Sequence, residues 1–206
     1  MKGFFISFEG IEGTGKTTQA RLLAEYLSRK GYTTVLTEEP GGTSIGIRIR
    51  EVLLKVEHTE MHNLTELLLY NASRCQHIHE LILPSISAGK IVITDRFSDS
   101  TFAYQGYGRG IDLSLIETLD RIMTRGLRPD LTLLLDIDAE IGLRRNRGAN
   151  KVDRIELEDI DFHNKVRAGY LELARKEPGR IKVIDASGEI GEVQSKIVEA
   201  VKNLQL

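Results

Sequence analysis

Gly10, Ile11, Glu12, Gly13, Thr14, Gly15, Lys16 and Thr17 spell G-x-x-x-x-G-K-[ST], with a short apolar run before them and a helical pattern after them. This motif constrains the fold more than any other part of the chain, because it works only where a strand feeds a tight glycine turn that opens a helix. The glycines let backbone N–H groups curl around a phosphate, and the helix N-terminus adds its positive partial charge. In such a loop Lys16 reaches the terminal phosphates and Thr17 offers its hydroxyl to Mg²⁺. Kinases, GTPases and motor ATPases share it, so the motif marks a nucleoside triphosphate site and leaves the reaction open. A guanine-reading N-K-x-D box is not expected, which favours a kinase or ATPase over a GTPase switch.

Short apolar runs at residues 4–8, 32–37, 91–94, 131–136 and 181–184 read as strands. Between them lie helical patterns: Leu22, Leu23, Tyr26 and Leu27 before a stop at Lys30 and Gly31, then residues 64–88, 113–124, 162–176 and 190–204. Alternating strands and helices predict an α/β fold, a five-stranded parallel sheet flanked by helices in three layers. Pro84 is expected to bend or end the long helix, since it lacks a backbone donor and clashes with the preceding turn. Residues 146–154 are poor in apolar side chains and rich in positive charge, and read as a mobile excursion between helices. No linker or repeat divides the chain, so residues 1–206 are expected to form one domain.

With 28 basic against 30 acidic side chains, the formal charge of -2 creates no global field toward nucleic acid or an anionic membrane. Any anion must be held by local clusters. Cys75 is the single cysteine, which excludes an internal disulfide or a four-cysteine metal site. No run of 18 apolar residues suggests a membrane span and the N-terminus does not read as a signal peptide, so a cytoplasmic protein is expected.

A second cluster follows the strand at residues 91–94, where Asp95 and Arg96 fall at the carboxyl edge of the sheet. Asp95 can hold Mg²⁺ and Arg96 can grip a phosphate, or the two can be a strand-end surface ion pair. Tyr70 and Arg74 are four apart on one helix face, which suits a nucleobase and its phosphate as well as it suits a half-buried ring beside a solvated cation. In the stretch 98–110 the Gln105 amide could pair with a base edge, unless the stretch is a flexible connector. His77 and His79 point apart on a helix and cannot share a metal. Cys75 reads as packing, and His58, His62 and His163 form no cluster.

Taken in order, FEGIEGTGKTT, EEPGGT, LLLYNASRCQH, DRFSDSTFAYQGYGRGID and VDRIE resemble thymidylate kinase along nearly the whole chain. The resemblance implies a P-loop fold of the nucleoside monophosphate kinase type with a short lid, and transfer of the ATP γ-phosphate to dTMP with Mg²⁺ as cofactor. Gly10, Ile11, Glu12, Gly13, Thr14, Gly15, Lys16, Thr17 and Thr18 would then hold ATP, and Thr17 with Asp95 would organise the metal. Arg96 and Arg74 would bind the acceptor phosphate, Tyr70 would stack on thymine, and Gln105 and Arg50 would line the base pocket. Glu12 would contact the sugar 3′-hydroxyl, with Glu39, Ser100, Thr101 and Tyr104 completing the acceptor site.

The lid, about residues 144–154, would bring Arg144, Arg145, Arg147, Lys151 and Arg154 over the phosphates. With no arginine in the phosphate loop, this resembles the bacterial lid-arginine type, and Arg144 and Arg147 join Lys16, Asp95 and Arg96 as catalytic candidates. Glu38 stands where the family commonly carries arginine, and Phe97 where Tyr or His also occurs. A homodimer built through helices packed side by side is implied as well. A kinase for another nucleoside monophosphate or nucleoside is the alternative, and a nucleotide-dependent switch a third reading that leaves the second cluster unexplained.

Overall fold

The structure, a computed structural model, describes residues 3–148 and 153–202, without the side chains of 147 and 148. Strand β1 (Phe4–Glu9) pairs in parallel with β3 (Ile91–Asp95) on one side and β4 (Leu131–Asp136) on the other. Strands β2 (Thr34–Glu38) and β5 (Ile181–Asp185) complete the sheet in the order β2-β3-β1-β4-β5. Phe8 aligns with Asp95 across the β1/β3 pair, so the phosphate-loop strand and the Asp95-Arg96 strand end side by side.

Strand alternation explains the layers. Ile6 and Phe8 point to one face with Ile93 and Leu133, where α1 (Lys16–Arg29) and α9 (Ile190–Lys202) cover them through Leu23, Leu27, Val193 and Ile197. Phe5 and Val92 point to the other, under Ile78 and Ile82. On that face Leu134 and Ile181 meet Phe162, Val166 and Tyr170 of α8 (Ile160–Lys176). A parallel sheet must be covered on both faces in this way, and the expected five strands and three layers are present. Among the described residues, no helix is long and apolar enough to cross a membrane.

Several elements differ from the expected ones. The helix at residues 64–88 is α3 (Asn63–His77), a π-helical turn (Ile78–Ile82) and α4 (Leu83–Ser87) in succession. Pro84 lies in the first turn of α4, and the widened π turn before it absorbs the missing donor and ring, so the chain runs on to Ser87. The stretch 98–110 is largely helical, as α5 (Ser98–Thr101) and a second π-helical segment (Phe102–Gly108). Helix α6 (Leu113–Thr124) matches its expected bounds.

Two helices were not expected. Helix α2 (Ser44–Leu54) starts where Thr43 Oγ1 accepts from Gly46 N at 3.0 Å. Helix α7 (Ala139–Gly148) takes in the first residues of the proposed excursion. Residues 149–152, with Lys151, lie outside the described part of the chain, as does the Arg147 side chain.

Candidate active site

The phosphate loop fills the turn between Glu9 of β1 and Lys16 of α1. At Gly13 φ is 71°, a left-handed value that disfavours side chains. A Cβ there would also lie 1.9 Å from the Gly142 carbonyl oxygen of α7, so only glycine lets loop and helix meet. Ile11 buries its side chain in the core, while its carbonyl accepts from Lys16 Nζ at 2.7 Å and from Thr14 Oγ1 at 3.0 Å. Burial and the Arg96 charge lower the Lys16 ammonium to about 8.

Gly13, Gly15, Lys16, Thr17 and Thr18 open onto a cleft of about 950 Å³, the size of a small-ligand site. Thr17 Oγ1 donates to Asp95 Oδ2 at 2.5 Å, bringing two hard oxygens to one point. That donor set fits Mg²⁺, which takes one or two protein oxygens and completes its octahedron with phosphates and water. Among the described residues, no group of three or more His, Cys, Asp or Glu side chains could hold a metal unaided.

Arg96 is the hub of the cleft. Its φ of 74° places a non-glycine residue in the left-handed region, a strain that a surrounding network must hold. Nη1 donates to the Gly10 carbonyl at 3.0 Å, to Ser100 Oγ at 3.2 Å and to Tyr170 OH at 3.1 Å. Nη2 donates to Glu12 Oε1 and Tyr104 OH, each at 3.0 Å. Tyr104 OH in turn donates to Glu12 Oε1 at 2.6 Å. Burial would raise the Glu12 carboxyl, but His163 and Arg96 outweigh it and hold the group down at about 2. Ser100 and Tyr104 therefore face the cleft as part of one network that fixes Arg96 and Glu12.

Arg74 is placed differently from either expectation. It is 2% exposed and stands behind the cleft wall, donating from Nε to Glu39 Oε2 at 2.7 Å, from Nη1 to Thr101 Oγ1 at 2.8 Å and from Nη2 to the Phe97 carbonyl at 3.0 Å. The solvated cation among the alternatives is thus overturned. Glu39 Oε1 meets His77 Nδ1 at 2.9 Å, so both oxygens of this carboxylate are committed within the protein. Arg50 faces the cleft, donates to the Pro40 carbonyl at 2.7 Å and pairs with Glu38 at 3.5 Å. The acid in place of the family's arginine thereby contributes an anchor for Arg50. Tyr70, Thr101 and Gln105 also line the cleft.

The lid arginines separate. Arg145 lines the cleft and donates to the Ala186 and Ser187 carbonyls, each at 2.9 Å, while Arg144 is exposed on α7. Arg154 is not over the phosphates: at 7% exposure it donates to the Leu53 carbonyl at 3.1 Å and pairs with Glu66 at 2.5 Å. A guanidinium so close to a buried carboxylate is drawn inward, which the count of positive charge in this segment could not reveal. The letters N-K-x-D do occur, against expectation, at Asn150, Lys151, Val152 and Asp153. Asp153 Oδ1, however, caps its own turn by accepting from Ile155 N at 2.9 Å and Glu156 N at 3.0 Å. The stretch also follows α7 rather than a strand.

Four residues absent from the expected site take part in it. Glu9 is fully buried and accepts from Phe97 N at 2.7 Å, Ser100 Oγ at 2.6 Å and Tyr170 OH at 2.9 Å. Burial and the charge of Asp99 raise it to about 7. Its signal in sequence is an acid closing an otherwise apolar strand. Tyr170 belongs to a helical stripe that reads as core and His163 to no cluster in the sequence, yet one reaches Arg96 and the other lies 3.3 Å from Glu12. Glu66 is an acid on the buried face of α3.

The chain is similar to known proteins along nearly its whole length. The family model described as thymidylate kinase matches residues 8–197. The thymidylate kinase of Pelobacter propionicus is 48% identical over 205 residues, covering 97% of this chain and 94% of that protein. That of Caldanaerobacter subterraneus subsp. tengcongensis is 48% identical over 202 residues, covering 98% and 96%. The crystal structure of thymidylate kinase from Ehrlichia chaffeensis superposes with a TM-score of 0.82 at 38% identity, covering 98% of this chain and all of that one.

Proposed function

Because the chain belongs to the thymidylate kinase family and so phosphorylates dTMP to dTDP, we propose that its phosphate donor is ATP carrying Mg²⁺, and that donor and acceptor meet in the cleft organised by Arg96. The observation that carries this reading is the Arg96 guanidinium, which bonds the Gly10 carbonyl of the phosphate loop through one nitrogen and Glu12 through both its own contact and Tyr104. One cation thus stands between the donor loop and the acceptor residues, where an in-line transfer concentrates negative charge.

Backbone N–H groups of the loop and the N-terminus of α1 bind the donor phosphates, with Lys16 neutralising the terminal ones. Thr17 and Asp95 hold Mg²⁺, which supplies charge neutralisation across the donor phosphates when bound. Arg96 binds the acceptor phosphate, Glu12 receives the sugar hydroxyl, Tyr70 stacks on the base, and Arg50, Ser100, Thr101, Tyr104 and Gln105 shape the pocket. Arg74 acts from behind that wall by fixing Thr101, and Glu39, which lines the cleft, anchors Arg74. Arg145 holds the nucleotide side of the cleft, and Arg144 and Arg147 act on the transferring phosphate. Proximity and electrostatics carry such a reaction, so no strong general base is required.

The chain works as a single unit over residues 1–206, supported by its one continuous sheet, and acts on free nucleotides in the cytoplasm. It functions as a homodimer through exposed apolar side chains on two packed helices, Leu64 and Leu68 of α3 with Leu115 and Ile122 of α6. The test is ADP release with ATP and Mg²⁺, comparing dTMP with dUMP, CMP, AMP, GMP, thymidine and no acceptor. A clear preference for dTMP supports the assignment. Turnover with another monophosphate would overturn the base pocket, and acceptor-independent hydrolysis the transfer itself.

A further inference from the structure

Gln105, 2% exposed, donates from its side-chain nitrogen to Glu66 Oε1 at 3.0 Å. An amide's nitrogen and oxygen are told apart only by what they face, so the state of Glu66 decides which end points where. Glu66 is fully buried yet surrounded by cations: Arg109 donates from Nε to Oε1 and from Nη2 to Oε2, each at 3.2 Å, and Arg154 Nη2 lies 2.5 Å from Oε2. Burial favours its neutral form, but these partners overcome that and keep the carboxyl below its ordinary range. An ionised carboxylate has no hydrogen to give, so the group turned toward it must be the amide NH₂. Gln105 Oε1, with no hydrogen-bond partner among the described residues, is then the end left for the cleft that Gln105 lines beside Tyr70 and Arg50.

We infer that Glu66 is a specificity-determining positioning residue: by holding the Gln105 nitrogen it presents Oε1 to the acceptor base, selecting bases with a ring N–H and rejecting those whose ring nitrogen is an acceptor. Thymine carries such an N3–H and cytosine does not. The inference rests on dTMP being the acceptor. A buried polar group left unpaired by the wrong base discriminates more sharply than a missing methyl. Arg109 and Arg154 act one step further out, as the charges that keep Glu66 an acceptor.

The experiment compares kcat and KM for dTMP and 5-methyl-dCMP at saturating ATP and Mg²⁺ in wild type, Glu66→Gln, Gln105→Met and the double variant. The two nucleotides share a shape and differ in the ring nitrogen and the adjoining exocyclic group. Wild type should favour dTMP by about a hundredfold or more in kcat/KM. In Glu66→Gln the facing amide accepts either end of Gln105, so that preference should fall about tenfold or more, chiefly through KM. The double variant should fall no further than Gln105→Met, because both changes remove one device. A folded Glu66→Gln protein with the wild-type preference would overturn the inference. Should Glu66→Gln not fold, Gln105→Met leaves Glu66 with both arginines, and an unchanged preference there overturns it equally. A wild-type protein that does not turn over dTMP refutes the acceptor assignment instead, and that result is read before any variant is made.

Discussion

Lys16, Arg74 and Glu9 are all buried, and burial means something different for each. Among the described residues the Lys16 ammonium donates to the Ile11 carbonyl and the Thr14 hydroxyl and forms no ion pair, so Lys16→Ala should remove about a hundredfold or more of kcat/KM while leaving the unfolding midpoint nearly unchanged. Arg74 answers a buried carboxylate. Arg74→Ala would leave Glu39 with His77 as its remaining partner and should cost about 3–5 kcal/mol in urea unfolding, before any effect on nucleotide binding. A loss of dTMP affinity with unchanged stability would contradict that structural role. Glu9 is raised from 4.5 to about 7 in the folded chain. The folded state therefore holds its proton more tightly than the unfolded one, and the associated stability, full below pH 4.5, is lost as pH rises through about 7. Thermal unfolding followed from pH 4 to 8 should show that decline in wild type and a flatter profile in Glu9→Gln.

At the scale of elements, the strands and the phosphate loop were legible because each is a local pattern: Phe4, Phe5, Ile6 and Phe8 form an apolar run ending in a glycine, whatever packs on it. The helical nature of residues 98–108 was not, because Gly106, Gly108 and several hydroxyl side chains have weak helix propensity. What holds that segment is tertiary: Gly106 lies against Leu113 and Ile116, Gly108 against Phe162 and Val166, with no room for a Cβ. The π-helical turn then delivers Tyr104 and Gln105 into the cleft, a use to which π turns are often put. Helix α7 meets the phosphate loop through a similar close approach, where a Cβ on Gly142 would lie 2.5 Å from the Glu12 carbonyl oxygen. Gly142→Ala should push α7 off the loop, destabilising the fold by about 1–3 kcal/mol in chemical unfolding and weakening nucleotide binding in a titration.

The whole molecule brings the ends of β1 and β3 together, and both proposed nucleotide sites hang on that one edge. Its outer surface carries the apolar side chains of α3 and α6, and if these form the proposed homodimer, Leu68→Glu should leave a monomer in analytical ultracentrifugation. A wild-type chain that sediments as a monomer would remove the dimer from the proposal. By itself the sequence determined the phosphate loop, the five strands and the parallel three-layer sheet, since these are written in spacings along the chain, and its motifs carried the resemblance to the family. Only the tertiary structure decided that Arg154 turns inward to Glu66, that Arg74 stands behind the wall, paired with the cleft residue Glu39, and that Glu9, His163 and Tyr170 join the Arg96 network. A charge's role depends on which opposite charge lies across a fold and how much water is excluded between them, and neither is encoded in neighbouring letters.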